Sequence, residues 1–352
     1  MVYYIQKIGF LKYMANISEV AKLANVAKST VSNVLSNKRY VSEEVRNKVL
    51  DACKQLNYTK NMLASSLVTR RTNIIGLFLA TEKNRFDAFY GDLIRGVSLA
   101  VANRGYFVML YVNVDREEKM RELFVQGKIY IEGAIILTPC IDDFRTKELN
   151  KGQIPYVTIG HTEDKISDSK YTVDVDNEEI TYRIAAHLIK NGHRKILFLN
   201  SKENYTITND RLVGYCRACA EAGIPIDKKN IFNVDENRDE AETLFKILHS
   251  RKEEYTACIV SSDTNARIVY DYAAKNGICI GSGLAVAALG GYERAEAFDP
   301  PLTMAKVDYD AMGRTASLLL CDILEGGAAE AESRSGEWSI DFRESSSFRL
   351  QL

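Results

Sequence analysis

No stretch of this 352-residue chain comes near the about 18 consecutive apolar residues that a membrane-crossing helix requires. The opening segment, Met1–Met14, has apolar residues and two lysines but no continuous apolar core and no small-residue cleavage site. It therefore does not read as a signal peptide, and a cytoplasmic location is expected. The seven cysteines are scattered, with no spacing that repeats as a disulfide or zinc framework would. Cys216 and Cys219 form a C-x-x-C, but inside an apparent helix, where buried thiols are the expectation. The chain lacks G-x-x-x-x-G-K-[ST], H-E-x-x-H and G-x-S-x-G. Gly281-Ser282-Gly283 precedes a strand pattern instead of opening a helix, so it is no dinucleotide turn. No catalytic residue, cofactor or metal site is expected.

What is present is an asymmetry of charge. Residues 1–72 carry 12 Lys+Arg against 4 Asp+Glu, a balance of +8, while the remainder carries −9. A basic head on an acidic body points to a head that meets a polyanion.

The head shows three short helical patterns. The first runs from Ile17 to Ala24 and the second from Lys28 to Leu35. Val45, Val49, Ala52 and Leu56 mark the third, with Ser42 as its expected cap and Glu43 and Glu44 suiting its positive end. Val20 and Ala21 face inward, Ala24 closes the first helix, and Asn25 stands where a turn needs φ > 0. Val26, Val31 and Val34 supply the second buried stripe. That leaves Lys28, Ser29, Thr30, Ser32 and Asn33 as a polar face able to enter a major groove. A fourth amphipathic piece, Asn61 to Val68, precedes a polar linker ending at Asn73.

From Ile74 onward, apolar strands alternate with helices. Strands are predicted at Ile74–Ala80, Tyr106–Val112, Gly133–Thr138, Pro155–Gly160, Ile196–Asn200, Ala257–Ser261, Leu284–Leu289 and Trp338–Phe342. Helices are predicted near Ala88–Arg104, Arg116–Gly127, Glu178–Asn191, Leu212–Ala222 and Asn265–Asn276. The alternation implies parallel sheets covered by helices on both faces. Two such sets imply two lobes with a ligand cleft at the carboxyl ends of their strands.

The run Ile17-Ser18-Glu19-Val20-Ala21 through Val26-Ala27-Lys28-Ser29-Thr30-Val31-Ser32-Asn33-Val34-Leu35 resembles the head of the lactose/galactose repressor (LacI/GalR) family. The likeness continues through Val41-Ser42-Glu43-Glu44-Val45-Arg46 and Asn61-Met62-Leu63-Ala64-Ser65-Ser66-Leu67. It extends over Asn191-Gly192-His193-Arg194-Lys195-Ile196, Arg211-Leu212-Val213-Gly214-Tyr215, Ser262-Asp263, Pro300-Pro301-Leu302-Thr303 and Arg343-Glu344-Ser345.

The resemblance implies an α-helical helix-turn-helix head joined to an α/β two-lobed, periplasmic-binding-protein-like sensor with parallel sheets. The expected divisions are an extension over 1–13, the DNA-binding domain over 14–60, a hinge helix and linker over 61–73, and the effector-binding and dimerisation domain over 74–352. Lys28, Ser29 and Asn33 would contact bases, with Thr30 and Ser32 on phosphates. Ala64 and Leu67 would enter the minor groove from a hinge helix, Leu67 as an apolar wedge. Phe89, Tyr90, His161, Asn209, Arg211 and Ser262 would line the effector site.

Several slots depart from the family pattern. Ala27 replaces a common serine and Lys60 a proline. Asn33 and Asn209 stand where many relatives carry arginine, and Gly290 and Gly160 where aspartate occurs.

The expected protein is a DNA-binding transcription regulator, a repressor that binds a pseudo-palindromic operator as a homodimer under the control of a small-molecule effector such as a sugar. The same reader governed by a partner protein, with an inert cleft, is the alternative. An enzyme is disfavoured by the missing motifs, and a secreted sugar-binding protein by the head.

Overall fold

The computed structural model describes residues 15–36, 39–58, 71–79, 89–112, 121–124, 126, 129–162, 171–234, 240–251, 255–291, 295–327 and 333–349. Two compact units divide the chain, Met1–Thr72 and Asn73–Leu352. No helix among the described residues is long and apolar enough to cross a membrane. The fourth amphipathic piece, with Ala64 and Leu67, and most of the helix predicted at Arg116–Gly127 lie outside the described residues.

The first unit contains α1 (Ile17–Leu23), α2 (Lys28–Ser36) and α3 (Glu43–Gln55). Asn16 starts α1 through a capping box: its side chain accepts from the Ser18 and Glu19 amides, and Glu19 accepts from the Asn16 amide at 2.9 Å. Asn25 ends the helix with φ 55°, and the Val26 amide reaches back to the Ala21 carbonyl at 3.0 Å. This is the left-handed stop that satisfies the last carbonyls of a helix. Asn57, φ 46°, repeats it after α3, with the Tyr58 amide on the Cys53 carbonyl at 2.8 Å. Val20, Ala21, Ala24, Val31, Val34, Val49, Ala52 and Cys53 form the core. Ser42 does not cap α3 as expected. Its side chain makes no capping hydrogen bond, while its carbonyl accepts from the Arg46 amide at 2.9 Å. The acidic residues of that first turn, Glu43 and Glu44, still face the positive helix end.

The second unit has two six-stranded sheets. In the first lobe, β1 (Ile74–Phe78), β2 (Phe107–Tyr111), β3 (Gly133–Leu137), β4 (Tyr156–Ile159), β5 (Thr172–Asp174) and β11 (Ser333–Ser335) lie in the order β11-β5-β4-β3-β1-β2. All of these pairings are parallel. In the second, β6 (Ile196–Asn200), β7 (Ile231–Asn233), β8 (Ala257–Val260), β9 (Ala285–Ala288), β10 (Thr303–Val307) and β12 (Trp338–Asp341) lie in the order β12-β10-β9-β8-β6-β7. The β10–β12 edge pairing is antiparallel, which departs from the all-parallel expectation.

The central strands are buried at every position because helices cover both faces. Side-chain alternation divides the second lobe's core in two. Leu197, Cys258 and Val286 face one cluster, and Ile196, Ala257 and Ala285 face the other.

The covering helices are α4 (Phe89–Asn103), α5 (Phe144–Lys151), α6 (Asn177–Lys190), α7 (Thr206–Glu221), α8 (Glu240–Arg251), α9 (Asp263–Lys275), α10 (Tyr309–Leu324) and α11 (Glu344–Ser347). The chain crosses between lobes three times: from β5 to α6, from β10 to α10, and from β11 to β12. Helix α10 thereby returns to the first lobe and packs on α4, where Gly313 lets it approach the Leu93 carbonyl. Helix α7 begins at Thr206, six residues before the predicted Leu212, which places Asn209 and Arg211 on its first turns.

Candidate functional site

The geometry of α2 separates two faces. Val31 and Val34 are buried in the head core, while Lys28, Ser29 and Ser32 are exposed and Thr30 and Asn33 half-buried. At about 3.6 residues per turn, Lys28, Ser29, Ser32 and Asn33 share one outward arc. Thr30 sits on the flank beside Val34. No side-chain oxygen is available at Ala27, whose carbonyl accepts from the Thr30 and Val31 amides at 2.9 and 3.2 Å. The first turn of α2 thus begins without a side-chain acceptor at that position and offers backbone amides alongside Lys28, a favourable setting for an anion.

In the second unit a cavity of about 340 Å³ opens between the lobes. Its walls are the residues that follow strand ends: Thr138 and Pro139 after β3, Gly160 after β4, Ser201 after β6, Ser261 and Ser262 after β8, and Gly290 and Gly291 after β9. Carboxyl ends of parallel strands are where such folds leave room for ligands. Phe89 and Tyr90 open α4 on one wall, their rings stacked 4.2 Å apart, and Phe89 also meets Tyr309 at 4.8 Å.

Arg211 is buried and donates through Nη1 to Ser201 Oγ at 2.8 Å. Ser262 has two duties. It lines the cavity and caps α9 by accepting from the Asn265 amide at 3.3 Å. The buried Asp263 beside it accepts from the Thr264 amide at 2.8 Å. Apolar ring faces with a few fixed polar groups suit a small polar molecule that also has apolar faces.

Two glycines shape this wall differently. A Cβ on Gly290 would stand in ordinary contact with Tyr309 Oη at 3.7 Å and Arg211 Nη2 at 4.0 Å, so a side chain fits at this position on the cavity wall. Gly160 has φ +95°, and a Cβ there would come within 2.9 Å of the Pro139 ring, so an aspartate does not fit this backbone.

The comparisons with known proteins follow this division. Residues 16–61 match the family described as bacterial regulatory proteins, lacI family, and residues 185–346 match a periplasmic binding protein-like domain. The HTH-type transcriptional regulator MalR of Streptococcus pneumoniae serotype 4 is 31% identical over 265 residues, covering 74% of this chain and 80% of that protein. The chain belongs to the lacI family of bacterial regulatory proteins.

Other lacI-family relatives extend the match over nearly the whole length. The regulator CelR of Thermobifida fusca is 28% identical, covering 93% of this chain and 96% of its own. The solved complex of CelR with cellobiose has 27% identity and a TM-score of 0.70 over 94% of this chain and 99% of that one. The lac repressor dimer bound to operator and the anti-inducer ONPF shares the fold, at a TM-score of 0.80 and 20% identity, over 95% of this chain and 99% of that one. As a lacI-family member, the protein is a DNA-binding transcription regulator.

Of the six effector-site residues singled out from the sequence, Phe89, Tyr90, Arg211 and Ser262 line the cavity. Asn209 is exposed on α7 and is not among the lining residues. His161 also lies outside the lining, with Nδ1 3.0 Å from Asp174 Oδ2. The sequence reading missed Asp174, Tyr205, Thr206 and Tyr309 on the cavity wall. Asp263, the second residue of the Ser262-Asp263 pair, also lines the cavity, beyond the residues expected there.

Other family motifs are structural. The Asn191 side chain donates through Nδ2 to the Ser346 carbonyl at 2.9 Å, and His193 Nδ1 lies 3.0 Å from Thr256 Oγ1, fastening α6 to its neighbours. Cys219 is buried and Cys216 half-buried, and burial pushes both thiols above their ordinary range, as inert core cysteines require.

Proposed function

We propose that this lacI-family regulator represses transcription by binding a pseudo-palindromic operator as a homodimer, and that a sugar-class molecule in the interlobe cavity controls it. The observation that carries the reader is the outward polar face of α2 on a packed three-helix core. Lys28, Ser29 and Asn33 contact base edges, and Thr30 and Ser32 contact phosphates. Ala64 and Leu67 act in the minor groove as a hinge element, with Leu67 as the wedge.

Dimerisation draws support from the edge of the first sheet. Strand β2 is terminal there and exposes Phe107, Met109 and Leu110, with Leu99 on α4 exposed nearby in sequence. An apolar edge strand whose outer side no other described strand pairs with is a site for pairing with another chain. Because α4 and α10 pack on each other within one chain, only their outer residues, such as Leu99 and Leu318, remain for a partner.

For the effector, stacked aromatics beside Arg211, Asp263 and hydroxyl side chains match a sugar's apolar ring faces and hydroxyl edges. The cellobiose complex of CelR supports that class. An open cavity lined by aromatic and aliphatic side chains with a few fixed polar groups favours this reading over control by a partner protein acting on an inert cleft.

A thermal-shift screen with sugars, sugar phosphates and nucleosides tests the effector. A sugar is expected to raise the unfolding temperature and to change operator affinity, and stabilisation by nucleosides alone would reassign the site. Leu67→Ala tests the wedge. Specific affinity and DNA bending should drop while non-specific binding persists, and unchanged bending would remove the hinge role.

A further inference from the structure

Three side chains from three different segments meet where the two lobes touch. His161 follows β4 in the first lobe, Asp174 ends β5 in the same lobe, and Asp210 sits on α7 in the second. His161 Nδ1 lies 3.0 Å from Asp174 Oδ2 and 3.5 Å from Asp210 Oδ2, and all three atoms lie within 4.8 Å of one another. We propose that His161, Asp174 and Asp210 form a divalent-cation site that ties the lobes together, distinct in role from the effector cavity.

A hydrogen-bonded histidine accounts for one carboxylate at one ring nitrogen. Here two carboxylates, one from each lobe, converge on the same Nδ1. Ligand atoms at about 2.0–2.2 Å from a metal stand about 3–3.5 Å apart across an octahedral or tetrahedral angle, so the two nitrogen-to-oxygen spacings already suit a shared ion. All three residues are half-buried, so solvent reaches the cluster.

The supporting groups hold the donors in place. Asp174 Oδ1 accepts from the Val175 amide at 2.8 Å and from the buried Asn177 amide group at 3.3 Å, which keeps Oδ2 turned toward His161. The His161 carbonyl accepts from Thr206 Oγ1 at 2.8 Å, fixing the loop from the opposite lobe. Ligands whose partners orient them in this way bind metal more tightly. Beside the cluster the lobes are already stitched by a Cys140–Tyr205 backbone bridge and by the Ile141 amide on the Asn204 carbonyl at 2.8 Å.

One imidazole and two carboxylates select a first-row divalent ion such as Mn²⁺ or Zn²⁺ over Mg²⁺ or Ca²⁺. Bound there, the ion favours the closed lobes by attaching to both. Asp174 also lines the cavity, so the ion and the effector act on the same closure. Sequence spacing could not show the site, because its members come from a strand exit, a lobe crossing and a helix.

The test uses the full chain, stripped with EDTA and dialysed, with Mn²⁺ as the probe because exposed Cys279 could capture Zn²⁺. Electron paramagnetic resonance of free Mn²⁺ and thermal unfolding are read together. One Mn²⁺ per chain and a higher unfolding temperature are expected, with binding weakened at least tenfold in both His161→Ala and the near-isosteric Asp210→Asn. His249→Ala, at an exposed site elsewhere, should bind like wild type. The proposal is overturned by no Mn²⁺ binding, by binding that survives both substitutions, or by a His161-dependent pH effect in EDTA without any Mn²⁺ effect, which would identify a proton latch instead. Operator affinity is not read, so failure here leaves the proposed function standing.

Discussion

Gly290 lies beside the Arg211 guanidinium, so that a Cβ on the glycine would stand 4.0 Å from Arg211 Nη2. A carboxylate there would meet that guanidinium directly and form a charge-assisted pair inside the cavity. Gly290→Asp is therefore expected to fold normally, to shrink the cavity and to weaken whichever sugar the wild type binds by tenfold or more. Thermal shift with the identified ligand checks this. Equal affinity in the variant would place the ligand away from this wall.

The turn of the reader rests on Asn25, whose φ of 55° is a conformation that residues with a plain Cβ resist. Asn25→Gly should be close to neutral. Asn25→Ala should cost about 1–2 kcal/mol of head stability. Hydrogen exchange of the amides in α1–α3 of the full chain would show the difference, and equal protection in both variants would contradict it.

The sequence showed the head almost completely because its signals are local. Asn25 announces the turn, Val31 and Val34 the buried stripe, and the repeated polar positions the outer face. Most central strands were equally visible as apolar runs, but β10, Thr-Met-Ala-Lys-Val, was not predicted, because a lysine interrupts its short run. Strands β5, β7 and β11 were not, since three-residue strands carry no periodicity. Helix α5 was hidden by its polar composition, Phe-Arg-Thr-Lys-Glu-Leu-Asn-Lys, which buries Arg145, Thr146 and Glu148 along with Leu149. The cavity wall was legible where a motif marked it, as at Arg211 and Ser262. It was illegible where tertiary folding alone brings residues in, as at Tyr205 and Tyr309.

Buried Arg145 shows why that wall holds its shape. It pairs with Asp143 and donates to the carbonyls of Leu137 and Thr138 at 3.1 and 2.9 Å. Burial alone would raise the Asp143 carboxyl, but Arg145 outweighs it and holds the group below its ordinary value. Asp143→Ala leaves a buried guanidinium without its counter-charge, at a cost of about 3–5 kcal/mol. Urea unfolding should show that loss. A loss below about 1 kcal/mol would mean that the pair is not a structural keystone.

Acid should destabilise the sensor through two histidines. Burial holds His187 and His193 below the ordinary histidine value. The unfolded chain then binds protons near pH 6.5 that the folded chain refuses, so stability falls as pH drops through about 6.5 and levels off once the folded groups protonate. The unfolding temperature should decline from pH 7.5 to 5.5, and His193→Asn should flatten the decline. An unchanged slope in that variant would contradict the assignment.

Dimeric reading of a specific DNA sequence is tested by selecting duplexes from a random pool with the full chain and sequencing those retained. A pseudo-palindrome with two half-sites is expected, with Lys28→Ala and Asn33→Ala relaxing individual positions at roughly 1–3 kcal/mol per lost base contact. Recovery of no common sequence, or of a lone half-site bound as tightly as the pair, would contradict it.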